Sequence, residues 1–237
     1  RDRLAAQTIL VSRATNAGGG AVGNNDSENP SISADGLMVV FESSATNLSA
    51  GDTNGARDIF LRDLSEGITT RQTPASEAGK SSAYPTISAD GTVIVFESDA
   101  TDLVAGDTNS VRDVFIKTIG GAIERVSVSS LGVQGNAMSY DSSISDDGYF
   151  VAFASMASTL VAGDTNNSTD IFLHFRGTDV TLLISKAGAI AADGDSFSPT
   201  ISSASNPSFS LVTFGTRATN LASPDLSGNE DVFLYST

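Results

Sequence analysis

Four near-copies of one stretch, no helical period between them and a last strand displaced to the other terminus predict an all-β chain. The expected architecture is a four-bladed β-propeller of four-stranded antiparallel blades, closed by its N-terminal strand. The stretch is Gly51 to Leu61, and it returns as Gly106 to Ile116, as Gly163 to Leu173 and, altered, as Pro224 to Leu234. Each copy is one supersecondary unit that buries its apolar face only against a neighbour.

In the first copy, Pro30 to Ser33 alternates apolar and polar residues and runs into Ala34-Asp35-Gly36, a tight-turn signal. Val39 to Ser43 follows as a β-branched and aromatic run, then a polar loop from Ser44 to Arg57, then Asp58 to Arg62, and after a turn Thr69 to Thr73. These four strands are a, b, c and d. The second copy repeats them at Pro85 to Ser88, Val93 to Phe96, Asp113 to Ile116 and Glu124 to Ser127. The third has Ser142 to Ser145, Phe150 to Phe153, Asp170 to Leu173 and Leu182 to Ser185. The fourth has Pro199 to Ser202, an insertion around Asn206-Pro207, then Leu211 to Phe214 and Asp231 to Tyr235. The strand-a isoleucines Ile32, Ile87, Ile144 and Ile201 are 55, 57 and 57 residues apart.

Strands b and c are apolar at consecutive positions, so both their faces are covered, as in sheets stacked around an axis. Copy four stops after strand c, and a strand of the missing kind, Thr8 to Ser12, stands at the N-terminus with a Val-Ser ending like Val126-Ser127. The expected unit is one domain over 1–237, with blades at about 29–73, 84–128, 140–186 and 198–237, the last completed by 7–13. Phe41, Phe60, Phe96, Phe115, Phe153, Phe172, Phe214 and Phe233 recur in strands b and c and are the expected interblade core.

Composition narrows the partners. Among 237 residues, 28 are acidic and 13 basic, a net charge of -15, which repels phosphate backbones and anionic lipid. Nucleic acid and membrane insertion are therefore not expected, and cations or basic protein surfaces are favoured. No apolar run approaches the length needed to span a bilayer. The absence of cysteine removes thiol chemistry and disulfides. The chain begins at Arg1, which reads as a processed or truncated form.

The pattern Pro-Thr-Ile-Ser-Ala-Asp-Gly, then Val-Phe-Glu-Ser, then Asp-Ile-Phe-Leu resembles the PD40, or WD40-like, repeats of TolB-type bacterial β-propellers over roughly residues 7 to 237. The resemblance implies a noncatalytic binding module of the bacterial periplasm or cell exterior. The chain departs from that family in having four copies where six are usual, and in its long loop between strands b and c.

The b-to-c and d-to-a loops are long and leave on one side of the ring, the short turns on the other, so one face is thick with polar loop residues. The b-to-c loops carry a recurring frame: Asp52, Asn54 and Asp58; Asp107, Asn109 and Asp113; Asp164, Asn166 and Asp170; Asp225, Ser227 and Asp231. Oxygens at positions 1, 3 and 7 of a loop begin a Ca²⁺ site, yet the ligand at position 5 and the bidentate Glu at 12 are missing. The competing reading is that these side chains make Asx turns and tie the loop to strand c.

Gly18 to Gly23 matches G-x-G-x-x-G without the helix that motif needs, and reads as a d-to-a loop. His174, the single histidine, has no recurring acid-base partner and reads as a satisfied strand residue. Glu42 and Glu97 hold equal places in strand b, where Ala154 and Gly215 stand in the other copies. Three functions follow: a binding module engaging a protein or glycan through the long-loop face; a propeller hydrolase or lyase using Glu42, Glu97 or His174; and a structural spacer. A monomer is expected, with a strand-exchanged dimer as the variant.

Overall fold

The computed structural model describes residues 8–15, 20–74, 79–202, 211–223 and 228–236. Among them there is no helix, and none long and apolar enough to cross a membrane. The first blade comprises β1 (Ser27–Ile32), β2 (Met38–Ser43), β3 (Asp58–Asp63) and β4 (Ile68–Arg71), and the second β5 (Ser82–Ile87), β6 (Val93–Ser98), β7 (Asp113–Thr118) and β8 (Ile123–Arg125). The third comprises β9 (Ser139–Ile144), β10 (Phe150–Ser155), β11 (Asp170–Phe175) and β12 (Val180–Leu183). A two-residue ribbon, β13 (Lys186–Ala187) with β14 (Ile190–Ala191), precedes blade four, which has β15 (Ser196–Ile201), β16 (Leu211–Thr216) and β17 (Asp231–Ser236). Each of the four blade sheets is an antiparallel meander of the repeat, which is β-propeller architecture.

Local chemistry explains the hairpins. Ser33 donates to Asp35 at 2.6 Å while Asp35 accepts the Leu37 N–H at 2.9 Å, and Gly36 adopts φ 74°. The same arrangement returns at Ser88–Asp90 and Ser145–Asp147. Strand a begins earlier than its sequence suggests and carries a bulge at which Asn29, Tyr84, Asp141 and Ser198 all take φ near 50°.

Strand d ends two residues earlier than expected, for a reason common to three blades. The hydroxyls of Thr73, Ser127 and Ser185 accept the N–H of Ile59, Val114 and Ile171 and donate to Asp58, Asp113 and Asp170, so a side chain takes over from the backbone ladder.

Blades stack through apolar faces. Val40, Ile59 and Leu61 of blade one meet Ile94, Phe96 and Phe115 of blade two. Val95, Val114 and Ile116 meet Phe153, Phe172 and Leu183 of blade three, and Ala152, Ile171 and Leu173 meet Val212, Phe214 and Phe233 of blade four. The recurring phenylalanines stack in cross-strand pairs 5.7–6.1 Å apart, and all are buried except the half-buried Phe233.

Ring closure is not what the structure shows. Thr8 to Ser12 is not a strand, Arg13 bridges to Val22, and blade four has three strands among the described residues. Among the described residues no core cluster joins blade four to blade one. Residues 1–7 and the Asn206-Pro207 insertion lie outside the described residues.

Candidate binding face

The first three acidic frames sit where the b-to-c loop meets strand d, on the outer side of their blades. Asn54, Asn109 and Asn166 close Asx turns by accepting the N–H of Ala56, Val111 and Ser168, and each also donates to the last aspartate of its frame. The cation position is filled in two blades. The Arg71 guanidinium lies 3.3 Å from Asp52 and 3.5 Å from Asp58, and that of Arg125 lies 3.1 Å from Asp107 and 3.3 Å from Asp113.

Blade three differs. Leu183 stands where Arg71 and Arg125 stand, opposite Phe172 as they are opposite Phe60 and Phe115. Asp164 and Asp170 are both buried, and burial pushes both carboxyls up, Asp170 to about 6. In the fourth frame Asp231 is exposed, while Asp225 and Ser227 lie outside the described residues.

A second constellation occupies the inner side of the same long-loop face. Glu42 and Glu97 are 1% and 2% exposed. Glu42 accepts from Arg57 at 2.6 Å and from the Tyr84 N–H of the next blade at 2.6 Å. Glu97 accepts from the Asp141 N–H at 2.7 Å, with Arg112 at 3.4 Å. These carboxylates are thus struts that hold the strand-a bulge of the following blade. Burial pushes Glu97 up to about 7 against the pull of Arg112. In blade three both partners are replaced together, by Ala154 and Thr169.

Around Glu97 lies a groove of about 560 Å³, walled by Tyr84, Tyr140 and Met138, with Asp99, Arg112 and Asp141 as its polar groups. Tyr84 and Met138 are 51% and 45% exposed. Arg112 bridges Asp99 at 3.1 Å and lies 5.9 Å from the Tyr84 ring centre, so it is braced from two sides. Aromatic and thioether surface edged by carboxylates suits a ligand with an apolar stem and a cationic end. Sequence reading missed Tyr84, Tyr140, Asp99 and Asp141. The signal available was that Glu42–Arg57 and Glu97–Arg112 occur together and vanish together, which marks a contact and hence a place in space.

His174 is buried, its Nδ1 lies 3.0 Å from the Thr181 hydroxyl, which donates onward to Val128 O, and burial lowers its pKa. It occupies the place of Arg62, which donates to Thr69 in the same way, so its role repeats a structural one. In the glycine-rich stretch Gly18 and Gly19 lie outside the described residues, and Gly23 donates to Ser12 O in a loop.

No protein-family model matches the chain, and no curated protein matches it. Solved structures similar to it include TolB from Acinetobacter baumannii, at 17% identity over 86% of this chain and 42% of that one, with a TM-score of 0.48. Putative TolB from Agrobacterium tumefaciens is 19% identical over 67% of this chain and 48% of that one, with a TM-score of 0.43. An oligogalacturonate lyase from Vibrio parahaemolyticus is 12% identical over 81% of this chain and 46% of that one, with a TM-score of 0.47. The chain spans less than half the length of each, and at these identities the likeness concerns fold alone.

Proposed function

We propose that the chain is a noncatalytic binding module of the bacterial periplasm or cell exterior, whose long-loop face takes a basic segment of a partner protein. The groove between blades two and three carries this reading. Tyr84, Tyr140 and Met138 supply contact area, Asp141 supplies negative charge beside the Arg112–Asp99 pair, and the net charge of -15 attracts a cationic partner to the molecule. Glu97 is already engaged by Arg112 and by a backbone N–H, which suits a strut better than an acid-base group.

Titrating a lysine-rich peptide, a glutamate-rich peptide and a panel of neutral oligosaccharides by calorimetry tests it. Binding of the basic peptide alone is expected, weakened by salt and, for Tyr84→Ala, roughly thirtyfold, the effect of losing an aromatic anchor. Binding of an oligosaccharide instead moves the reading to a glycan module. Cleavage of any probe replaces it with the hydrolase or lyase alternative.

A further inference from the structure

The groove does not end at Glu97. Tyr84, Glu97 and Asp141, which wall it, also line a second pocket of about 440 Å³ that adds Asn29, Thr86 and Ser142 as polar residues. Strands β1, β5, β9 and β15 contact one another in series, so this second pocket lies at the inner edge of blades one to three. The two spaces meet at those three residues and form one cleft.

The junction of blades two and three is built differently from its neighbours at this depth. Ser31 of blade one accepts the Ile87 N–H of blade two, and Ser143 of blade three accepts the Ile201 N–H of blade four, both at 3.3 Å. Thr86 holds the same place in blade two, opposite Val95 as Ser31 is opposite Val40 and Ser143 opposite Ala152. Its hydroxyl oxygen is screened from solvent, yet it has no hydrogen-bond partner among the described residues. One residue earlier in the repeat, Pro30, Pro85 and Pro199 are matched in blade three by Ser142, whose hydroxyl is likewise screened and without a partner. A polar group withheld from water without a hydrogen bond costs stability, and such groups are few in folded proteins. Two of them line one pocket, at one of three described junctions, which marks a place fitted to a donor that the fold itself does not supply.

Resting on the reading of the groove as the seat of a basic segment, we propose that the cleft takes one lysine side chain of that segment. Its stem lies along the Tyr84 ring and the rings of Pro30 and Pro85, and its ammonium reaches Thr86, Ser142 and Asp141. Rotation about χ1 turns each hydroxyl from the pocket wall into the pocket. An ammonium carries three donors on one atom, which matches single acceptors set around a narrow end. A guanidinium is a flat fork that matches the paired oxygens of one carboxylate. Of the two aspartates beside Glu97, Asp99 is already held in that way by Arg112, through Nε at 3.2 Å and Nη2 at 3.1 Å. The hydroxyls and the carboxylate of Asp141 are what the cleft offers a newcomer, and that set favours lysine.

Calorimetry with three peptides of one sequence, carrying lysine, arginine or trimethyllysine at the basic positions, tests the assignment. Trimethyllysine keeps the charge but has no N–H to donate. The lysine peptide is expected to bind at least tenfold more tightly than either of the others. Thr86→Val and Ser142→Ala are each expected to weaken it roughly tenfold, the effect of one lost hydrogen bond to a charged group, and to leave the arginine peptide unchanged. Because neither hydroxyl has a partner in the fold, neither substitution is expected to lower the melting temperature. Equal affinity for lysine and for arginine or trimethyllysine overturns the proposal. So does a lysine affinity that both variants leave unchanged, or a melting temperature that either lowers, since the hydroxyls would then be tied within the fold. Those results leave the groove as the seat of a basic segment, whereas a failure of all three peptides to bind overturns that reading and this one with it.

Discussion

Single carboxyls set the pH response of this fold. Glu97 and Asp170 are pushed by burial to about 7 and about 6, from usual values of 4.5 and 3.8. The folded state therefore holds protons that the unfolded chain has released, and stability falls as pH rises from about 4 to about 7. Hydrogen bonds from Ser65 and Thr219 act oppositely on Asp63 and Asp193, holding both below 3.8, so their contribution disappears only in stronger acid. Maximal stability is expected near pH 4 to 5, with a loss on the order of 2 to 3 kcal/mol per buried group by neutrality. Glu97→Gln should flatten the part of the decline between 4.5 and 7. Thermal melts of both proteins across pH 3 to 8 measure it, and a stability that climbs toward neutrality contradicts the assignment.

At the scale of the element, the hydroxyl that ends strand d is both acceptor for strand c and donor to the frame aspartate. Ser127→Ala removes both bonds to buried groups of Asp113 and Val114, and should destabilise by roughly 1 to 3 kcal/mol in denaturant titration. A change within a few tenths of a kcal/mol would mean that the tie is ornamental. The frames also bear on calcium. With guanidiniums between the carboxylates of blades one and two, equal melting in EDTA, Ca²⁺ and Mg²⁺ at matched ionic strength is the expected result. A rise with Ca²⁺ alone would point to Asp164 and Asp170, the pair without a guanidinium. The strands themselves were legible because Phe41, Phe96, Phe153 and Phe214 recur at one place under one packing constraint. The bulge was not, since a left-handed residue is usually announced by glycine, and here Tyr84 and Asp141 hold that conformation by donating their N–H to Glu42 and Glu97 of the preceding blade. Nor was Arg71, whose partners are adjacent only after strand d has folded back on the loop.

At the scale of the whole molecule, the blade-to-blade ties among the described residues join neighbours in the chain. Ser82, Ser139 and Ser196 each donate their N–H to the residue before strand c of the preceding blade, and the Glu42 and Glu97 struts add to this between blades one, two and three. The packing faces and the groove are thereby separated in space. Packing is decided on the faces that neighbours share, whereas the groove lies along the inner edge, where the copies differ. The bulge of strand a is the clearest case. It places Asn29, Tyr84, Asp141 and Ser198, all exposed, at one address in each blade, outside the apolar contacts. The protein can be seen as a line of four characters printed on a fixed carrier. Any character compatible with the carrier can be rewritten without changing the page, so duplicated copies of this repeat are free to acquire separate vocabularies for their partners.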